Sequence, residues 1–224
     1  MASPYLQAWG MTEALGCTMP SPRPGSDESD DTKRIDRRMV SGRACFGTAL
    51  RIVDDEERVL PNDGKTAGHL RAKGPWVSSG YLKRDDGLDP DGWLVTGDMA
   101  VIDGEGQVRL TDRSKDVIKS GGEWISSIQL EDAALSHPDV LQAAVIAMPH
   151  PKWQERPLLL VVRREGATVD AKGLLDHMRP KLASWWLPDA VEFLEAFPMT
   201  GTGKVHKMTL RERFRDYASE SAGA

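Results

Sequence analysis

A change of rhythm near Asp112 narrows the possible folds more than any other feature of this sequence. Between residues 47 and 110 the apolar or alternating runs are short, at 49–53, 69–72, 93–96, 99–102 and 107–110, with Asp, Asn and Gly between them. Short runs bounded by turn formers read as antiparallel strands joined in hairpins. Asp103-Gly104-Glu105-Gly106 is the plainest turn, because glycine readily takes the positive φ that a tight hairpin needs. After Asp112, helical segments near 127–136, 170–182 and 207–217 alternate with apolar runs at 143–148 and 158–162. Ser127 is positioned to cap the first helix, with Glu131 near the exposed amides of its first turn. Strand, helix, strand, strand, helix is an α+β sandwich pattern, so an α+β fold in two parts is expected, 1–112 and 113–224.

Other segments add less. Residues 20–38 are rich in Pro, Ser, Asp and Arg without apolar periodicity and read as a solvated loop. The stretch 4–16 enters a Trp-Gly loop with no strand or helix before it to support one. A chain of 224 residues, 40% of them hydrophobic, is long enough to bury a sizeable core. Its 29 basic and 34 acidic residues are interspersed, so no basic stripe suggests nucleic acid as a partner. No apolar run is long enough to span a bilayer, and residues 1–9 lack the layout of a signal peptide, which points to the cytoplasm. Cys17 and Cys45 form no CxxC pair and have no histidine at metal spacing, so they read as two unpaired thiols.

Four clusters combine residue types that suit chemistry. Trp9-Gly10-Met11-Thr12-Glu13 joins a flat aromatic, a glycine that admits close approach, a hydroxyl and a carboxylate. That set can stack on a base, bond a phosphate oxygen and ligate magnesium. Taken alone, it equally suits a turn around a buried Trp. In Thr96-Gly97-Asp98 the carboxylate could accept both hydroxyls of a ribose, or serve only as turn chemistry. The stretch 112–124 carries charges and the glycine pair Gly121-Gly122, which suits either a moving connection or a solvated linker. Residues 198–207 form a Gly/Thr loop that presents Lys204, without the spacing of a phosphate loop. Such a lysine can neutralise charge on phosphate oxygens, or simply be solvated.

Taken together and in order, these motifs resemble the adenylate-forming superfamily of acyl-CoA synthetases, luciferases and peptide-synthetase adenylation domains, over residues 4–217. The wording of 115–126, of His150-Pro151-Lys152-Trp153 with Glu155-Arg156-Pro157, and of Trp185-Trp186-Leu187-Pro188-Asp189 is most similar to bacterial medium- and long-chain fatty-acyl-CoA synthetases and methylmercaptopropionate-CoA ligases. The resemblance implies that 1–112 is the end of a large AMP-binding domain, β-rich and shaped as a distorted barrel. It implies that 113–224 is a small mobile domain with a three-stranded sheet.

By the same resemblance, Trp9 would stack near adenine with Gly10 and Met11 lining the nucleotide, Thr12 would meet the phosphates, and Glu13 would hold Mg2+. Asp98 would take the ribose hydroxyls with Arg113 beside it, Lys115 would be the hinge, and Lys204 would stabilise adenylate formation. Lys119, Gly121, Gly122, Glu123 and Trp124 would meet the pantetheine arm of CoA, with Lys119 also catalytic. The implied activity is ATP-dependent ligation of a fatty acid, or a similar carboxylate, to CoA. Two departures stand out. His69 follows Gly68 where the family usually has Glu, and reads as a half-buried strand histidine. The Ser/Thr/Gly-rich loop that holds the outer phosphates, and most of the acyl pocket, have no counterpart here, so the chain alone is expected to have little or no activity. Three alternatives follow: an interaction module, half of a split enzyme completed by a missing N-terminal half, and an adenylation domain that loads a carrier protein.

Overall fold

The computed structural model describes residues 7–19, 40–83 and 87–217. The solvated loop expected at 20–38 lies outside these. The chain divides into two units, 1–114 and 115–224, so the division falls two residues past the boundary expected from sequence.

In the first unit, β1 (Thr18–Met19) pairs antiparallel with β2 (Arg43–Ala44). Then β3 (Ala49–Val53), β4 (Ala67–Lys73), β5 (Leu94–Ile102) and β6 (Val108–Arg113) form an antiparallel sheet in chain order. Among the described residues, the bridge from Arg43 to Gln107 links the two sheets. Ile52, Leu70, Leu94, Ala100, Ile102 and Val108 gather on a core shared with Trp9, Ala14 and Cys17. The sheet thus buries the loop that precedes it. The runs 93–96 and 99–102, expected as two strands, are merged in β5, which begins one residue later at Leu94. Gly97 takes φ of +73° and the register shifts between Met99 and Ala100, so an irregularity inside one strand replaces the expected turn. The expected turn at 103–106 is present, with Gly106 at φ +77°. Asp103 Oδ1 accepts the backbone N–H groups of Glu105 and Gln107.

Among the described residues, the sheet of the second unit has five strands where three were expected: β7 (Ile118–Ser120), β8 (Glu123–Ile125), β9 (Val140–His150), β10 (Gln154–Arg163) and β11 (Ala190–Phe193). Strands as short as β7 and β8 carry little periodicity, which is why the sequence hides them. The helices are α1 (Ser127–Leu135), α2 (Ala171–Met178) and α3 (Lys207–Arg213). The apolar run in β10 is continuous because both faces are covered. Leu159 and Val161 pack with Leu130 of α1 and Leu174 and Met178 of α2, while Leu158, Leu160 and Val162 pack with Phe197 and Leu210 of α3. A polar residue in that run would face a core on either side. Ser126, one residue before the expected cap, caps α1 by accepting the Gln129 N–H. Glu131 serves elsewhere, accepting the Val145 N–H at 2.8 Å and pairing with Lys207 at 2.6 Å.

Candidate functional site

In the loop around Trp9, Met11 and Ala14 exchange backbone hydrogen bonds of 3.0 Å, so Thr12 and Glu13 form the tip of a tight turn. Gly10 is required by the chain itself: a Cβ there would lie 3.0 Å from the Gly16 nitrogen. Trp9 is 6% exposed and anchored at every polar atom. Its N–H donates to Thr18 Oγ1 at 2.7 Å, its carbonyl accepts the Thr18 N–H at 3.0 Å, and its indole Nε1 donates to Asp98 Oδ2 at 2.8 Å. The ring is therefore a buried member of the core whose polar edge orients Asp98.

Asp98 sits in β5 directly opposite Arg113 of β6, and the Arg113 Nε lies 2.9 Å from its Oδ1. Oδ2 accepts one hydrogen bond, from Trp9, and Oδ1 has the Arg113 ion pair, so both oxygens keep lone pairs for further donors. Beside it, Gly97 has open space where a Cβ would stand. Thr12 is exposed. The Tyr81 hydroxyl donates to Glu13 Oε1 at 2.7 Å and holds that carboxyl below its ordinary range, so Glu13 is ionised near neutral pH. Magnesium keeps several waters and takes one or two protein carboxylates beside phosphate oxygens, so Glu13 fits such an ion as a single ligand. Among the described residues no cluster of three or more His, Cys, Asp or Glu could hold a metal by itself.

The end of the first unit and the start of the second are each tied down within their own unit. Ser114 donates its N–H to Gly97 O at 2.9 Å, and its hydroxyl lies 3.0 Å from His69 Nδ1. His69 Nε2 in turn lies 2.9 Å from Asp55 Oδ1. His69 is a half-buried strand histidine as expected, and it links two loops. In the second unit, Arg211 of α3 bonds the Lys115 carbonyl at 3.1 Å and pairs closely with Asp116.

Lys119 to Trp124 form the β7–β8 hairpin, with Ser120 opposite Glu123 and only Gly121 and Gly122 between. Their φ values of +61° and +89° meet the demand of a two-residue turn for two left-handed positions. A Cβ on Gly121 would also come within 2.8 Å of the Trp153 ring. The Lys119 N–H donates to Glu155 Oε2 at 2.8 Å, and its ammonium lies 6.0 Å from the centre of the Trp124 ring. Glu123 is exposed. Arg156, which the sequence showed only as part of a resembling string, holds this hairpin to the rest of the unit. It bonds Ser120 Oγ, the carbonyls of Trp185 and Leu187, and Asp189 Oδ1 through two nitrogens. An arginine beside a run of five buried apolar residues was the available signal.

The Lys204 loop is closed by its own backbone. Thr200 N–H donates to Lys204 O at 2.7 Å, Gly203 N–H to Thr200 O at 2.9 Å, and His206 N–H to Pro198 O at 2.8 Å. Lys204 itself is exposed.

Residues 1–82 match the family described as AMP-binding enzyme, and residues 129–204 match the AMP-binding enzyme C-terminal domain. The chain belongs to the AMP-binding enzyme family. Within that family it is 48% identical over 215 residues to a 3-methylmercaptopropionyl-CoA ligase of Ruegeria pomeroyi, covering 94% of this chain and 40% of that protein. It is 41% identical over 221 residues to a medium-chain fatty-acid–CoA ligase of Ectopseudomonas oleovorans, covering 98% of this chain and 40% of that one. Among solved structures it resembles the o-succinylbenzoate CoA synthetase of Bacillus subtilis in complex with its acyl-adenylate intermediate, with a TM-score of 0.77, 29% identity, and coverage of 92% of this chain and 40% of the other. This AMP-binding chain thus spans about 40% of the length of the relatives it matches. Among its described residues, no helix is long and apolar enough to cross a membrane.

Proposed function

We propose that this chain is part of an ATP-dependent acid–thiol ligase that forms a fatty acyl-CoA, or the CoA ester of a similar carboxylate, through an acyl-adenylate in the cytoplasm, and that it contributes residues to both half-reactions. The observation that carries the reading is Asp98, a carboxylate held from both oxygens by Trp9 and Arg113 yet retaining lone pairs beside an open glycine. That arrangement suits a vicinal diol better than a cation, because Arg113 already offsets the charge. On this reading Asp98 accepts the ribose hydroxyls, with Trp9 and Arg113 as its positioning partners. Thr12 donates to a phosphate oxygen.

In the first half-reaction a carboxylate oxygen attacks the α-phosphorus of ATP and pyrophosphate leaves, giving an acyl-adenylate. Negative charge builds on the phosphoryl oxygens as the bond forms, and Lys204 stabilises it there. Glu13 would hold magnesium, which supplies further neutralisation of phosphate charge. In the second half-reaction a thiolate attacks the acyl carbon and AMP leaves. The β7–β8 hairpin, with Gly121 and Gly122 allowing close approach and Lys119, Glu123 and Trp124 beside them, receives the pantetheine arm. Lys115 is the hinge between the two half-reactions: Ser114 is fixed within the first unit, and Arg211 fixes Lys115 and Asp116 within the second.

The test joins this chain to the front portion of a close relative and supplies ATP, CoA and a series of fatty acids. Lys204→Ala should lose adenylate formation by at least about a hundredfold, in line with the loss of a preorganised charge at the reacting phosphate, while still converting supplied acyl-adenylate. If Lys204→Ala matches the parent in both steps, the assignment fails. A second reading, that this chain acts by associating with a separate polypeptide, is favoured by the apolar side chains exposed on the first unit. Phe46 is 98%, Leu82 89% and Leu15 74% exposed.

A further inference from the structure

Neither cysteine takes part in the chemistry above, yet the fold brings them face to face. Thr18 stands opposite Ala44 and Met19 opposite Arg43 in the β1–β2 pair. One further step along the same register sets Cys17 against Cys45, and the Cys45 N–H donates to the Cys17 carbonyl at 2.9 Å. Directly opposed residues in an antiparallel pair project to the same face, and a hydrogen-bonded pair has its Cα atoms about 5.5 Å apart. That spacing lies within the roughly 4.4–6.8 Å that a disulfide spans. Both residues are free thiols. Cys17 has no exposed surface, whereas Cys45 is partly exposed.

We propose that Cys17 and Cys45 are an oxidative modification site that forms a reversible intramolecular disulfide by exchange with a small-molecule disulfide such as oxidised glutathione. The partly exposed Cys45 reacts first. Its thiolate attacks one sulfur of the small disulfide, the S–S bond breaks, and one glutathione thiol leaves, giving a mixed disulfide at Cys45. Cys17 then gives up its proton to solvent and attacks the Cys45 sulfur, expelling the second glutathione thiol. Two cysteine thiols are oxidised and one small disulfide is reduced to two thiols, so the exchange balances. Burial, and then the neighbouring Cys45, push the Cys17 thiol up, so the closing step accelerates as pH rises.

The bond would lie under the Trp9 loop. Thr18, next to Cys17, holds the backbone of Trp9 through both its hydroxyl and its N–H, and Trp9 holds Asp98. Oxidation would therefore tie that loop covalently to β2, in a ring enclosing residues 18–44. The inference does not depend on the ligase reading.

The test treats the purified 224-residue chain with oxidised glutathione, blocks remaining thiols with an alkylating reagent, and maps the products by mass spectrometry. The expected product is a chain lighter by two hydrogens, unalkylated, with one peptide pair joined through Cys17 and Cys45 and released by dithiothreitol. It should form at least about tenfold faster in native buffer than in denaturant, because the register supplies the encounter. Cys17→Ser, or Cys17→Ala should the serine fail to fold in that apolar site, should stop at the glutathione adduct on Cys45. A wild-type chain that also stops at the adduct, bridges only to other chains, or shows no native rate advantage overturns the proposal.

Discussion

Replacing Arg156 with Met keeps the aliphatic stem of the side chain and deletes its guanidinium. Five hydrogen bonds go with it, and the carboxylate of Asp189 loses the partner that reaches it at 2.7 and 2.8 Å. Breaking a buried pair by removing one partner costs about 3–5 kcal/mol. The Arg156 side chain is 12% exposed and that of Asp189 22%, so water recovers part of the loss. About 2–4 kcal/mol remains, a large share of the roughly 5–15 kcal/mol that stabilises an ordinary domain. For a unit of this size that is a fall in melting temperature of roughly 10–20 °C. Near-ultraviolet circular dichroism suits the measurement, because Trp185 and Trp186 pack edge to face at 5.7 Å beside the bonded carbonyls. The double variant Arg156→Met/Asp189→Asn should lose clearly less than the two single losses combined. A fall of under about 3 °C, or strict additivity, would show that these bonds do not hold the segment.

Trp9→Phe keeps an aromatic ring but removes the pyrrole half of the indole and its N–H donor to Asp98 Oδ2, so it should cost about 1.5–3 kcal/mol in urea unfolding, from the lost bond and the void together, and weaken nucleotide binding in the completed enzyme. Gly121→Ala demands a left-handed alanine and forces Trp153 aside, for a loss of about 1–3 kcal/mol and faster amide exchange in β7 and β8. His177 is held below its ordinary range by burial and by Lys181 and His137, so between its folded and unfolded values the unfolded chain binds more protons. Stability should thus fall as pH drops below about 6.5, and His177→Gln should flatten that slope in denaturant titrations from pH 7.5 to 5.

The strands and helices that follow a single period were legible: 49–53 was read as a strand and is β3, and 158–162 lies wholly within β10. What the sequence hid depends on partners far along the chain. Gly97 reads as a turn residue locally, and only pairing with β4 and β6 carries one strand through it. Glu131 looks like a cap and is instead recruited by Lys207, a partner 76 residues away in α3. Trp9 shows the same split within the candidate site. Its residue type suits stacking on a base, but its indole N–H is bound to Asp98, 89 positions on, which no local spacing reveals. The cysteine pair was invisible for a related reason: register, not proximity in sequence, sets Cys17 against Cys45.

The closed backbone of the Lys204 loop has a consequence for how strongly that lysine can act. Fixing a residue's backbone costs roughly 1–2 kcal/mol of conformational entropy, and a loose loop would lose this for each residue ordered when an anion arrived. Here the main-chain bonds between Thr200 and Lys204, and between Pro198 and His206, have already frozen those torsions in the free chain. Only the four-carbon stem still has rotamers to surrender, worth roughly 2 kcal/mol. Gly201 at the tip is exposed and contributes no backbone bond to this closure, so the loop can vary in sequence there without moving the Cα that carries the ammonium, whereas the Thr202 hydroxyl lies 3.0 Å from that of Thr200, which accepts the Lys204 N–H.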